Sequence, residues 1–216
     1  MNYPIISPDT SFDAVILCAG DYPSYHIPLE ILQKNRFLCC CDGAAVAAEE
    51  RSLHIDAIVG DGDSLTREFK ESHSDILHIV SEQEYNDQTK ATHFCVEKGF
   101  RRIAYLGCTG KREDHTLGNI SLMAMYARTM GIMPVMISDY GYFIAATGRN
   151  TFDTFARQQV SVFNISCTSL SSEGLLWNVY PFNEWWQGTE NEAAANSICI
   201  DGDGWYIVFL THERKY

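Results

Sequence analysis

The sequence predicts an α/β first half and an all-β second half. Apolar strand-like runs alternate with helix-like segments up to about residue 140, and shorter runs separated by turn residues follow. In addition, acidic or glycine-rich segments come directly after three of the early runs. Such alternation is typical of a parallel sheet with helices on both faces. The 216-residue chain, 46% hydrophobic, is long enough for one large domain or two small ones.

The individual runs give the order of the predicted strands. Six fall in the first half, at residues 14–18, 37–41, 55–59, 76–80, 103–106 and 134–137. Five fall in the second, at residues 142–146, 159–165, 175–179, 197–200 and 205–210. The last two flank Asp201-Gly202-Asp203-Gly204, which is typical of a hairpin turn, whereas a calcium loop would need a distal Glu that does not follow. We therefore predict a Rossmann-like parallel sheet over residues 1–140 and a small antiparallel β-sandwich over residues 141–216.

Composition narrows the class of protein. A net charge of −12 argues against a nucleic-acid partner, which would favour a basic surface. No apolar run approaches the roughly 20 residues of a membrane span, and residues 1–12 lack a signal-peptide core. Most of the eight cysteines lie inside apolar runs and none forms a Cys-x-x-Cys pair, so buried thiols are favoured over zinc ligands. We expect a cytoplasmic protein that binds neither membrane nor nucleic acid.

The segment Gly60-Asp61-Gly62-Asp63-Ser64 follows the third predicted strand. Ligands of parallel sheets bind at this carboxyl end. Alternate residues of an extended segment point the same way, so Asp61 and Asp63 can aim two carboxylates at one point. Such oxygens suit Mg²⁺, which takes further ligands from substrate phosphates. An acidic, glycine-rich surface turn is the alternative interpretation.

Two further clusters, residues 82–90 and 107–119, follow predicted strands and open helix-like segments. Helix N-termini offer free N–H groups to an anion. Lys90, Lys111 and Arg112 add cations at the same level, which suits a polyphosphate. Taken singly, each could be an ordinary surface charge.

At these positions the chain resembles the thiamine pyrophosphokinases. The matching elements are, in order, Asp42-Gly43-Ala44-Ala45, Gly60 to Ser64, Asn86-Asp87-Gln88-Thr89-Lys90 with Asn in place of Thr, and Gly107 to Asn119. Order and spacing agree over roughly residues 12–140. The later matches, residues 174–179 and 188–191, are weaker, and Glu190 stands where the family has a serine that contacts thiamine.

The resemblance implies transfer of a diphosphoryl group from ATP to the primary hydroxyl of thiamine, with release of AMP and with Mg²⁺ on Asp61, Asp63 and Asp87. The catalytic candidates are Asp61, Asp63, Asp87, Lys90, Arg112 and Asp114. The candidates for holding ATP and its metal are Asp42, Gly43, Ser64, Gly107, Thr109, Gly110, Lys111, His115 and Asn119. The candidates for binding thiamine are Trp177, Trp185, Trp186, Glu190 and Asn191, with the acceptor site at the interface of a homodimer.

Several alternatives stay open at this stage. Asp114 could simply cap its helix, and His115 could be an interior histidine. The acceptor could be another alcohol, such as a hydroxymethylpterin. The chain could also be a non-catalytic nucleotide or vitamin sensor. A phosphatase of the haloacid dehalogenase kind would place its aspartate pair after the first strand, not the third.

Overall fold

A computed structural model describes residues 1–214 as a mixed twelve-stranded sheet with five α-helices. A short strand, β1 (Asn2–Tyr3), pairs with a later strand, and six strands then run parallel to one another. These six are β2 (Ala14–Leu17), β3 (Leu38–Cys41), β4 (Ala57–Gly60), β5 (Leu77–Ile79), β6 (Arg102–Leu106) and β7 (Met133–Ile137). The parallel sheet predicted from the sequence is therefore confirmed.

Five helices cover this sheet. They are α1 (His26–Gln33), α2 (Ala44–Glu49), α3 (Arg67–Ser72), α4 (Asp87–Glu97) and α5 (Glu113–Met130). Successive residues of a strand point to opposite faces. Accordingly, Val15 and Leu17 join the apolar cluster under α1 and α2, while Ala14 and Ile16 join the cluster under α4 and α5. Burial on both faces explains why these strands are unbroken apolar runs.

The strand order places a crevice at the centre of the parallel sheet. The order β7-β6-β2-β3-β4-β5 means that the chain moves outward from β2 through β5 and then returns to β2's other side with β6. Ligands of such sheets bind where the order reverses, at the carboxyl ends of the strands. That point lies here between the ends of β2 and β6, next to Cys18 and Gly107.

The second half is antiparallel and continues the same sheet through pairing of β7 with β8. Its elements are β8 (Gly141–Asp153), β9 (Gln158–Asn164), β10 (Leu170–Glu173), a 3₁₀ turn (Trp185–Gly188), β11 (Asn191–Glu192) and β12 (Ser197–Arg214). The antiparallel arrangement predicted after residue 140 is confirmed. No helix within residues 1–214 is long and apolar enough to cross a bilayer.

The hairpin predicted at residues 201–204 is wrong. Residues 197–214 form one strand, β12, with a register shift between Gly202 and Trp205 against β8. Asp203 accepts the backbone N–H groups of Thr168 and Ser169, at 2.8 and 2.9 Å. These tertiary contacts hold the extra residues as a bulge, so the strand continues instead of reversing.

The strand predicted at residues 175–179 is also misplaced. The strand in this region is β10, and Leu175 makes only an isolated bridge with Ala193. Gly174, with a φ of +82°, directly follows β10, and a Cβ there would lie 2.7 Å from the carbonyl oxygen of Ser197. The chain therefore leaves the sheet one residue before the predicted strand begins.

Candidate active site

A cavity of about 600 Å³ opens at the carboxyl ends of the parallel strands, at the reversal point of the sheet. Most of the residues predicted to bind the phosphates and the metal line this cavity. Those on its wall are Asp42, Gly43, Asp61, Ser64, Asp87, Lys90, Gly107, Gly110, Lys111, Arg112, His115 and Asn119. Asp63, Thr109 and Asp114 belong to the same loops but do not line the cavity.

Three carboxylates converge at one side of this cavity. Asp42, Asp61 and Asp63 each place an oxygen within 4.8 Å of the others. Asp42 joins the pair because its backbone has a φ of +38°, a conformation that Asp tolerates better than most residues, and because β3 lies beside β4. Sequence reasoning placed Asp42 only nearby, whereas the structure makes it the most deeply buried of the three.

The environment of Asp42 fits a cation. The side chain is 3% exposed, and its Oδ2 accepts the Ser64 N–H at 3.0 Å. Its Oδ1 is buried and has no hydrogen-bond partner within residues 1–214. A buried carboxylate oxygen without a donor costs free energy, and two more carboxylates beside it add repulsion. A hard divalent cation would satisfy all three groups at once.

The hydrogen bonds to Asp61 favour its ionised form. Its Oδ1 accepts the Asp63 N–H at 3.1 Å, and its Oδ2 accepts from Gln83 Nε2 at 3.3 Å. Both hydrogen bonds favour the carboxylate form, and they hold the pKa of Asp61 below its usual value. Asp63 in turn accepts the Ser64 hydroxyl at 3.0 Å.

Asp87 is the first residue of α4 and faces the carboxylates across β4. Gly60 lets them approach, since a Cβ there would lie 2.8 Å from Asp42 Cβ and 3.4 Å from Asp87 Oδ1. Burial raises the pKa of Asp87, with Asp42 and Asp61 adding to the rise and Lys90 opposing it. Asp87 therefore stands beside the three-carboxylate cluster without belonging to it.

Lys90 lies one turn further along α4 and is nearly inaccessible. Its side chain is 3% exposed, and its ammonium lies 3.5 Å from Asp87 Oδ1. One long contact leaves most of the ammonium's hydrogen-bonding capacity unused. A buried cation on the cavity wall is suited to receiving an anionic group.

The loop from β6 to α5 supplies more positive charge. Lys111 has a φ of +58° and donates from Nζ to the Ala19 carbonyl at 2.7 Å. An Arg112 guanidinium nitrogen lies 2.6 Å from Asp114 Oδ2, and this ion pair lowers the pKa of Asp114. Both side chains are exposed. Asp114 is thus an ion-pair partner, and its Oδ1 also accepts the His115 N–H at 2.9 Å in the first turn of α5. His115 is exposed and borders the cavity, so it is not an interior histidine.

Sequence reasoning missed several residues of the cavity wall. The largest omission is the turn after β2, where Cys18, Ala19 and Gly20 line the cavity. This turn could have been predicted to line the cavity from its position after the first parallel strand, because the first strand-to-helix turn of such sheets borders the ligand. Gln83, Tyr85 and Asn86, within a cluster already noted, also line it.

The residues predicted to bind the acceptor lie elsewhere and do not line this cavity. Trp177 and Trp186 are 61% and 73% exposed, while Trp185 is 39% exposed and meets Phe163 edge-on at 5.8 Å. Glu190 is exposed, with a φ of +61°.

Asn191 differs from its neighbours because it is buried and its amide is engaged. Its Oδ1 accepts the Trp177 N–H at 3.2 Å, and its Nδ2 donates to the Trp177 carbonyl at 2.6 Å. The side chain therefore fixes the backbone of Trp177.

Two family models match the chain. Residues 29–133 match "Thiamin pyrophosphokinase, catalytic domain", and residues 141–209 match "Thiamin pyrophosphokinase, substrate-binding domain". Together the two ranges take in most of the chain. No curated protein matches it by sequence.

Solved structures give the same fold at low sequence identity. Thiamin pyrophosphokinase from Candida albicans superposes with a TM-score of 0.77 at 16% identity, over 98% of this chain and 92% of that one. The Bacillus subtilis enzyme gives 0.74 at 19% identity, over 93% and 99%. The yeast enzyme gives 0.76 at 13% identity, over 97% and 90%. At these identities the structures support the fold, and the family models carry the assignment.

Proposed function

The chain belongs to the thiamine pyrophosphokinase family of ATP-dependent diphosphotransferases, and we propose how its own residues perform that reaction. The intact diphosphoryl group passes from ATP to the primary hydroxyl of thiamine, giving thiamine diphosphate and AMP. The acceptor oxygen attacks the β-phosphorus, so negative charge grows on the oxygens between the α- and β-phosphates. The observation that carries this proposal is the three-carboxylate cluster at the edge of the cavity, with Asp87 and the buried Lys90 on the cavity wall.

Asp42, Asp61 and Asp63 would hold Mg²⁺, with Asp87 facing them. A Mg²⁺ ion held by these residues would neutralise charge on the phosphate oxygens. The unpartnered Oδ1 of Asp42 supports its inclusion as a ligand, although sequence reasoning named Asp61, Asp63 and Asp87. Gln83 keeps Asp61 oriented through its hydrogen bond to Oδ2.

Lys90, Lys111 and Arg112 would bind the phosphate chain. Lys90 is the most important of these because its ammonium is buried, so its interaction with an anion is weakly screened. Lys111 and Arg112 lie on the exposed rim, where they can exchange their present partners for phosphate oxygens. Gly107 and Gly110 line the cavity with φ values of +64° and +79°. A Cβ at either position would collide with Cys18 or Asp21, so these glycines let the loop pack against the turn after β2.

The acceptor would bind through residues 141–216, as a second domain following a catalytic domain of residues 1–140. The boundary between the two matched family ranges supports this division. Trp177, Trp185 and Trp186 offer aromatic faces to the thiazolium cation and the pyrimidine ring. Because these side chains are exposed and lie outside the phosphate cavity of their own chain, we propose that a homodimer brings them to the cavity of a second subunit.

A cytoplasmic location is part of the proposal. All eight cysteines are unpaired, and seven of them are buried. Unpaired thiols in this number are typical of reducing compartments.

The test is to incubate the protein with ATP, Mg²⁺ and thiamine and to identify both products. The proposal predicts AMP and thiamine diphosphate in equal amounts. Release of ADP or free phosphate would contradict it. A parallel reaction with a hydroxymethylpterin tests the alternative acceptor. This control is needed because Glu190 stands where the family has a serine that contacts thiamine. Nucleotide binding without turnover on either acceptor would indicate a sensor.

A further inference from the structure

A hydrogen bond between two asparagines of the cavity wall links the start of α4 to α5. Asn86 Nδ2 donates to Asn119 Oδ1 at 3.0 Å. Asn86 is the residue immediately before α4, and Asn119 lies in the second turn of α5. The bond therefore joins the start of the helix that carries Asp87 and Lys90 to the helix that follows Arg112.

The backbone fixes the orientation of both amides. Asn86 Oδ1 accepts the Thr89 N–H at 3.0 Å as the cap of α4. Asn119 Nδ2 donates to the Cys108 carbonyl at 2.9 Å. Rotating the Asn86 amide by 180° would place its NH₂ group against the Thr89 N–H. Rotating the Asn119 amide would place its oxygen against the Cys108 carbonyl oxygen. The remaining donor of Asn86 must then meet the remaining acceptor of Asn119.

Two buried hydroxyl groups, those of Thr89 and Tyr126, form a second connection between α4 and α5 next to the Asn86–Asn119 bridge. Thr89 Oγ1 donates to Asn86 Oδ1 at 2.8 Å and lies 2.7 Å from the hydroxyl of Tyr126, a residue of α5. Thr89 is 1% exposed and Tyr126 is fully buried. The start of α4 is therefore attached to α5 at two separate points, and one of them is on the cavity wall.

We propose that Asn86 and Asn119 are positioning residues that set Asp87 and Lys90 against the β6–α5 loop for diphosphoryl transfer, an inference that rests on the proposed function. Asp87 follows Asn86 directly, and Lys90 is four residues on, so a shift at the cap moves both groups. A Thr side chain at position 86 could still accept the Thr89 N–H as a cap, but it has no amide nitrogen to donate to Asn119.

The test is a double-mutant cycle with Asn86→Thr, Asn119→Ala and the combined variant. Asn86→Thr keeps the cap and removes the bridge. Each single change is expected to lower kcat and to raise the Mg²⁺ concentration that gives the half-maximal rate. The two effects multiplied together should amount to about three- to tenfold. The thiamine KM should stay within about twofold of the parent's, since no contact to the acceptor is altered. Ser121→Ala, an exposed change on α5 outside the bridge, is the matched control and should match the parent.

The combined variant decides the inference. If the bridge acts as a unit, the second substitution adds less than about twofold to the first. Full additivity would overturn the inference and would indicate that Asn119 touches the nucleotide by itself. A fall in the melting temperature with unchanged half-maximal Mg²⁺ would also overturn it, because a purely structural role predicts that result.

A binding measurement separates this inference from the proposed function. Calorimetry with a non-hydrolysable ATP analogue at several Mg²⁺ concentrations needs no acceptor. The same coupling between positions 86 and 119 should appear there even if thiamine is not the substrate. Lack of AMP production by the parent, with that coupling present, would overturn the function and leave the bridge supported.

Discussion

Replacing Gly20 by alanine is expected to disturb the nucleotide cavity through a backbone contact. Gly20 lies in the turn after β2, and a Cβ there would lie 2.5 Å from the Gly107 carbonyl oxygen. An unstrained contact needs about 3.4 Å, so one of the two loops must move by roughly 0.9 Å. Both loops line the cavity, and hydrogen bonds from Gly20 N–H to Gly107 and from Asp21 N–H to Thr109, at 2.7 and 2.8 Å, tie them together.

The size of the effect follows from these contacts. Two strained or broken hydrogen bonds cost about 1 kcal/mol each, and the displaced backbone adds a similar amount, for a total of about 2–4 kcal/mol. For a chain of this length the melting temperature should fall by about 4–16 °C. A displacement near 1 Å at a reacting phosphate can cost about a hundredfold in rate. Thermal unfolding and steady-state kinetics with ATP as the varied substrate measure the two effects.

Gly118→Ala is the matched control. Gly118 lies in α5 at the same end of the sheet, and a Cβ there would meet no atom within 4 Å. It should stabilise the protein by roughly 0.5–1 kcal/mol through helix propensity and leave the ATP KM unchanged. A Gly20→Ala variant with the parent's melting temperature and kinetics would refute the reasoning that these two loops are interlocked.

The remaining predictions concern charged groups. Asp61→Asn and Asp63→Asn should each abolish AMP formation, because each removes a carboxylate from the three-carboxylate cluster; turnover at saturating Mg²⁺ would reject the metal assignment. Lys90→Met should lower kcat far more than it raises the thiamine KM, and the opposite pattern would move Lys90 to the acceptor side. Burial raises the pKa of Asp87, so its ionisation opposes folding as pH rises above its ordinary value of 3.8. Asp87→Asn should thus stabilise the metal-free protein at pH 7 but not below pH 3.8, and equal melting temperatures at pH 7 would contradict this. Glu190→Gln should raise the thiamine KM by roughly tenfold without changing the ATP KM, and an unchanged thiamine KM would make Glu190 a solvated loop residue.

The parallel half of the fold could be predicted because its strands are buried on both faces. Residues 14–17 are all buried and apolar, and the run begins directly after Asp13. The errors occur where tertiary contacts decide the local structure. Leu170–Glu173 is a strand despite two serines and a glutamate, because it pairs with β12. The bulge at Asp203 depends on N–H groups more than 30 residues away.

The site shows the same division between local and tertiary information. The proximity of Asp61 and Asp63 was predicted from an extended segment, whereas the structure brings the two together through a turn, with Gly62 at a φ of +78° and the Asp63 N–H bonded to Asp61 Oδ1. The burial of Asp42 beside them was not predicted, since it depends on a left-handed backbone and on which strands are neighbours. Asn191 was predicted to face the acceptor, yet its amide is engaged with the backbone of Trp177, a contact across 14 residues that no spacing rule predicts.

The central claim is that the diphosphoryl group moves as one unit from ATP to thiamine. The most direct test uses two ATP preparations, one labelled at the β-phosphorus and the other at the γ-phosphorus, with Mg²⁺ and thiamine. The account predicts that both labels appear in thiamine diphosphate and that the AMP is unlabelled. Transfer of the γ label alone, with β-labelled ADP as the other product, would contradict the account.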